Sequence, residues 1–227
     1  MKGSEMNYFI MQLDVEKTTL RDYYPEEQHE DFLTFMHQLN DGKAFPEGYR
    51  IPCNFELGSN RKTPADADLL MSTPAFSPRA QAAINVVAAK DVQFIGFDYA
   101  PSTNPDYPFP VEPGYAWLNV LNRVSCLEYI YGDVRPRKPE WSMQEKKHIP
   151  REPAPILKEL RFHPEKVEGL HIFRPAEASS ALFMTEQLKD RLESAQLLGL
   201  QYKGLAEWLV RKRWVKNDNN GFWPGEC

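Results

Sequence analysis

Apolar positions along this chain switch between a period of two and a period of 3.6, and the switches mark its elements. The run NYFIMQLDV, residues 7–15, is aromatic and branched before it turns polar, which predicts an opening strand. In YYPEEQHEDFLTFMHQLNDG, residues 23–42, Phe32, Phe35, Met36 and Leu39 fall at i, i+3, i+4 and i+7. That spacing predicts a helix with one apolar face. Pro25 suits its first turn, Glu26 and Glu27 complement the positive end of its dipole, and Gly42 ends it. YRIPCNFEL, residues 49–57, alternates as a short strand does, and Pro52 places it at an edge.

One pattern occurs twice. In FSPRAQAAINVVAAKDVQFIG, Ser77 caps, Pro78 takes the first helical position, and Ala80, Ala83, Ile84 and Val87 form a face, with Lys90 in the last turn and a strand after it. In MTEQLKDRLESAQLLGLQYK, Thr185 caps, Leu188, Leu192 and Ala195 form the face, Gly199 stops the helix and a strand follows. Aligned without a gap, Ser77 meets Thr185, Ile84 meets Leu192, and Val92-Gln93-Phe94 meets Leu200-Gln201-Tyr202. Identities are few, so shared pattern and shared ancestry both remain open.

Between the copies, GYAWLNVLNRVSCLEYI predicts a buried strand and a turn, and PRKPEWSMQEKKHIPREPAP a polar excursion at the surface. ILKELRFHPEKVEGLHIFRP predicts a hairpin turning over residues 164–169. LAEWLVRKRWVK is a last helix or strand, and a tail follows. Helices and strands alternate without a βαβ rhythm, which predicts an α+β fold with a mixed sheet and short amphipathic helices. We expect one domain over residues 1–227, with halves of about 1–115 and 116–215 and a flexible tail at 216–227.

Composition narrows the function. Apolar residues make up 42% and charged residues 26%, the balance of a soluble globular protein. Three widely spaced cysteines, Cys53, Cys126 and Cys227, suit neither a disulfide framework nor a zinc site. The opening apolar run is too short for a signal peptide and no run is long enough for a bilayer, so we expect a cytoplasmic protein with no membrane partner. A net charge of −5 argues against nucleic-acid binding and suits a basic partner.

No nucleotide-binding, metalloprotease, hydrolase-elbow, kinase or EF-hand motif is present. His29 and His37 lie eight apart on the first helix without a third ligand nearby, and Cys126 has no neighbouring base. We therefore expect no catalytic residue, no metal and no cofactor. RKRWVK, residues 211–216, reads as a solvated face around Trp214. The segment DYAPSTNPDYPFPVEPGY differs from all of these. It carries Asp98, Tyr99, Asp106, Tyr107, Phe109, Glu112 and Tyr115 among prolines. Prolines lower the entropy lost on ordering, and tyrosines supply the stiff contact area that interface anchors use. These seven residues, with Glu26 and Glu27, are the candidate partner-binding set.

Three segments together resemble a known family. They are FSPRAQAAINVVAAKDVQFIGF, YAWLNVLNRVSCLE and HIFRPAEASSALFMTEQLKDRLESAQLLGLQY, spanning about residues 76–203. The marks are Asn119-Val120 in a strand; Ser125-Cys126-Leu127 at a turn, without the family's acid; and Ile172-Phe173-Arg174, Met184-Thr185, Leu188, Leu192, Leu198-Gly199-Leu200 and Tyr202 in the closing unit. The chain resembles bacterial immunity proteins of polymorphic toxin systems, immunity protein family 11, formerly domain of unknown function 1629. The resemblance implies a non-enzymatic cytoplasmic inhibitor that binds a cognate toxin, made from a neighbouring gene and delivered by a secretion system in interbacterial competition. A nuclease with a basic cleft fits the acidic segment, while self-association stays open. A small cytoplasmic enzyme using carboxylates in a cleft is the alternative, and a nucleic-acid regulator acting through Arg211 to Lys216 is a third.

Overall fold

The computed structural model describes residues 7–14, 16–17, 29–70, 73–135, 139–142, 144–149, 154–178 and 180–209. Its strands form two mixed sheets and two small ribbons, with helices packed on the sheets, an α+β fold as expected. The first sheet contains β2 (Arg50–Ser59), β3 (Ala67–Leu70), β4 (Thr73–Phe76), β5 (Val92–Pro101), β6 (Phe109–Pro110) and β7 (Ala116–Val120), in the order β3-β4-β7-β5-β2-β6. The second contains β1 (Tyr8–Leu13), β8 (Arg123–Val124), β13 (Ile172–Pro175), β14 (Leu182–Thr185) and β15 (Leu200–Gly204), in the order β15-β1-β14-β13-β8.

The repeated pattern corresponds to a repeated structure. Helix α2 (Pro78–Ala88) joins β4 to β5, and helix α3 (Glu186–Ser194) joins β14 to β15. In each unit an antiparallel strand lies between the two that the helix connects: β7 in the first, β1 in the second. The registers coincide residue by residue. Phe76 faces Ala116 and Gly96 faces the same Ala116, while Met184 and Gly204 both face Phe9. The gap-free alignment of Ser77 with Thr185 places Phe76 on Met184 and Gly96 on Gly204, so spacing along the chain and pairing across the sheet agree. The flanking strands correspond too, since β3 pairs antiparallel with β4 as β13 does with β14.

Apolar periodicity drives this arrangement. Ala80, Ala83, Ile84 and Ala88 of α2 and Leu188 and Leu192 of α3 are buried in one cluster with Met11, Phe76, Leu118 and Met184 from both sheets. Full burial of one Leu side chain contributes about 1.5–3 kcal/mol. The units also clamp each other crosswise. Leu198, after α3, donates its N–H to the Asp66 carboxylate at 3.0 Å and accepts from the Ala67 N–H at 3.0 Å. In return Asp91, after α2, accepts from the His171 N–H at 2.7 Å. Each cap is tied to a residue before its unit: the Ser77 hydroxyl lies 2.8 Å from Asp66, and the Thr185 hydroxyl 3.3 Å from the His171 ring.

Helix α1 (His29–Asn40) buries Phe32, Phe35 and Leu39 on the other face of the first sheet, where the Phe35 ring centroid is 5.4 Å from that of Trp117. The loop after it is held by side chains of the sheet. Gln93 bonds both the N–H and the carbonyl of Phe45 at 2.8 Å, and Asn119 donates to the Lys43 carbonyl at 2.8 Å. Asn119 is one of the residues that carry the family resemblance, and this contact gives it a structural role.

Several local expectations are corrected. Strand β12 (Ala154–Phe162) pairs with β9 (Leu127–Arg135), not with β13, because a 3-10 turn at Pro164–Val167 sends the chain into the other sheet. The polar excursion contains a hairpin, β10 (Glu140–Ser142) with β11 (Lys147–Ile149). Helix α3 ends at Ser194, before Gly199, and Gln196 carries the positive φ of 49°. Gly199 serves another purpose. Its φ is +91°, and a Cβ there would lie 2.0 Å from the Ala67 carbonyl oxygen, so only glycine lets the units approach this closely. Thr185 stands at the N-cap of α3 without a side-chain capping bond, whereas Ser77 accepts from the Ala80 N–H at 3.2 Å. Residues 205–209 are helical, and 211–216, Cys227 and the expected tail lie outside the described residues.

Candidate partner-binding site

The proline- and aromatic-rich segment grows from the end of β5. Strand pairing continues to Pro101, so Asp98 and Tyr99 belong to the strand and the loop begins at Ser102. Glu56 on β2 organises the first turn of the loop. One of its carboxylate oxygens accepts from the Thr103 N–H at 2.5 Å, the Ser102 hydroxyl at 3.0 Å and the Thr103 hydroxyl at 3.1 Å. Those donors hold Glu56 below the usual carboxylate range. Asn104 forms a turn, accepting from the Asp106 N–H through its side chain at 2.9 Å and from the Tyr107 N–H through its carbonyl at 2.9 Å. Beneath the turn lies Gly58, where a Cβ would come within 2.8 Å of Ser102 and Tyr107. Phe109 and Pro110 then pair with Ser59 and Gly58 as β6. The loop is therefore pre-ordered by its own sheet.

The candidate residues divide into three groups. Asp98, Asp106 and Glu112 are exposed, and Phe109 is 39% exposed. Tyr99 and Tyr107 are half-buried. The Tyr99 hydroxyl donates to the Val111 carbonyl at 3.0 Å, and burial, with Glu112 nearby, raises its phenol above the ordinary value. Tyr115 is in the core at 4% exposure and donates to the Ala65 carbonyl at 2.5 Å. Its ring packs in the core, and it anchors the end of the loop from below. Burial, and next the carboxylates of Asp66 and Asp68, raise its phenol. Glu26 and Glu27 lie outside the described residues.

A groove of about 930 Å³ runs along the base of the loop, lined among others by Asp98, Tyr99, Glu112 and Tyr115. Asp106, Tyr107 and Phe109 stand outside its lining, farther along the loop. The reading from sequence passed over Arg50 and Glu56. Arg50 reaches into the groove from β2, bonding Asp98 at 2.5 Å and the Phe97 carbonyl at 3.0 Å. A charged residue within an alternating apolar strand was the only sequence signal for either.

Elsewhere the titratable groups are dispersed. Cys126 is buried and its thiol is pushed up to about 12 by desolvation and then Glu177, which suits a packed, unreactive side chain. His148 packs edge-on against Trp141, His163 sits beside Glu165, and His171 faces Thr185. Among the described residues no three His, Cys, Asp or Glu side chains converge as metal ligands, and no helix is long and apolar enough to cross a membrane.

Among curated proteins no match is found. A family model, the immunity protein family Imm11, matches residues 7–207. The match extends well beyond the segments that suggested it, and it starts at β1, the strand that fills the middle of the second unit. With both repeat units, the groove and its loop inside the matched span, the chain belongs to the Imm11 family of immunity proteins.

Proposed function

We propose that this protein protects its cell by binding one cognate toxin domain in the cytoplasm and covering that toxin's active site, acting by occupancy and not by turnover. The observation that carries the reading is the pre-ordered loop at the groove. Asp106 and Phe109 are exposed on a backbone that Glu56 and β6 already hold in place. A loop ordered before encounter loses little entropy on binding, which favours tight association. Protection calls for about nanomolar affinity, roughly −12 kcal/mol. An interface of about 1,600 Å² reaches that when a few aromatic and charged anchors carry it. Residues 98–115 contain three acidic residues and no Lys or Arg, so a toxin with a basic cleft, such as a nuclease, is the class that fits. The polymorphic-toxin context and delivery between bacteria by secretion belong to this proposal.

The test is a titration of the purified protein against the C-terminal domain of the toxin gene beside its own. Asp106, Tyr107 and Phe109 replaced together by Ala should lower the affinity about 100-fold or more, the size of two anchor losses. Unchanged affinity in a folded triple variant removes the loop from the interface. Absence of any binding by the native protein removes the reading itself.

A further inference from the structure

We propose that the groove at the base of the loop is a receptor for a guanidinium side chain, an arginine projected by the bound toxin; this deepens the proposed function and rests on it for the source of that arginine. Four observations point the same way. The groove already shows how it treats a guanidinium, because Arg50 of the same chain lies in it, held by the Asp98 carboxylate at 2.5 Å and the Phe97 carbonyl at 3.0 Å. A second carboxylate in the lining, Glu112, is exposed and makes no ion pair among the described residues. The lining also includes the half-buried aromatic side chains of Tyr99 and Phe94, and cations bind aromatic rings when a carboxylate closes the other side. The space of about 930 Å³ is what remains open with Arg50 already in the lining, room enough for a further side chain.

Charge decides which occupant fits. With two carboxylates against one guanidinium in the lining, the groove favours a further cation and disfavours an anion. A planar guanidinium suits it better than an ammonium, because it can stack on Tyr99 while forking onto Glu112. Arg50 has a second use. Exposed at 56% of its side chain, it can shift along Asp98 as the incoming arginine arrives, so the two cations share the carboxylates instead of competing for one.

The test uses the protein alone, with acetyl-arginine amide as probe and acetyl-citrulline amide as its uncharged isostere, followed by amide chemical shifts. Saturable shifts confined to the amides of Gly96, Asp98 and Gly114, at least about fivefold weaker with citrulline, are expected. E112Q should weaken the arginine response about fivefold with an unchanged spectrum elsewhere. Equal response to citrulline, shifts at other positions only, or an unaltered response in E112Q each overturn the assignment. Because no toxin is present, such a result leaves the toxin titration untouched. A failed toxin titration alongside a saturable arginine response removes the toxin as the source of that arginine and with it the proposal.

Discussion

Up to Gly96 in the first unit and Gly204 in the second, the two copies are paired in one register, and beyond those glycines they part. Strand β5 runs on to Pro101, takes β2 in parallel beside it, and carries the acidic, aromatic loop. In the second unit the strand stops and the chain turns into a helix at 205–209, where Leu205 and Trp208 are buried at 8% and 6% exposure. One continuation presents polar and aromatic groups, and the other hides apolar ones. The difference lies in the side chains. FDYAP alternates and exposes Asp98, whereas LAEWL sets Leu205, Trp208 and Leu209 on one helical face against Phe183 and its neighbours. A doubled scaffold thus leaves one exit exposed while the other closes the core.

The contrast can be broken at graded cost. The largest effect is expected at the contact that joins the units. Gly199→Ala puts a Cβ where the Ala67 carbonyl lies and forces a positive φ on a residue with a side chain. Denaturant unfolding should show a loss of about 4 kcal/mol or more. Next, Trp208→Ala removes the ring that meets Phe183 edge-on at 5.2 Å and should cost about 3–5 kcal/mol, leaving toxin affinity unchanged. The same core loss in the first unit, at Phe97, should lower both stability and affinity, since Phe97 supports the groove. If Trp208→Ala abolishes toxin binding in a folded protein, the division of labour between the exits is wrong.

A smaller effect is expected at Asp66, which accepts from Ser77, Arg79 and the Leu198 N–H. Burial works to raise its carboxyl, but the bonds from Arg79, Leu198 and Ser77 outweigh it and hold the group below its ordinary 3.8. Its contribution is therefore complete above about pH 4 and is lost as pH falls through the lower folded value. Asp66→Asn should cost about 2 kcal/mol at pH 7, and the gap between variant and native protein should shrink in acid, as measured by urea unfolding across pH. The smallest effect is expected at Glu56→Gln. Global stability should hardly move, while hydrogen exchange at the Thr103 amide should quicken, because one strong acceptor orders the loop locally.

The pattern of apolar positions was legible wherever it was regular. Strand β1, the α1 face of Phe32, Phe35 and Leu39, and the Ser77-led helix stand where the spacing put them. The repeat was legible as cap, helix and strand, since each element is specified within about ten residues by its own side chains. What eluded the sequence was pairing. Nothing near β12 indicates that it turns away from β13 to lie on β9, because the pairing is set by the 3-10 turn at Pro164–Val167 and not by the strand's own side chains. Of the candidate site, the exposed Asp98, Asp106, Phe109 and Glu112 could be read from composition. Tyr115 could not be told from them, as its burial depends on a carbonyl 50 positions earlier.

By itself the sequence determined the local elements, the doubled unit, the acidic and aromatic character of one loop and the resemblance to a family. Those properties arise from nearest-neighbour spacing and from side-chain chemistry, which no folding step alters. Only the tertiary structure decided that β1 enters the second unit from the far end of the chain, that Gly199 must stay bare for the units to meet, and that Arg50 and Glu56 stand beside the loop. These depend on contacts between residues distant in sequence, where each position sees many partners of similar energy and the geometry of the whole selects one.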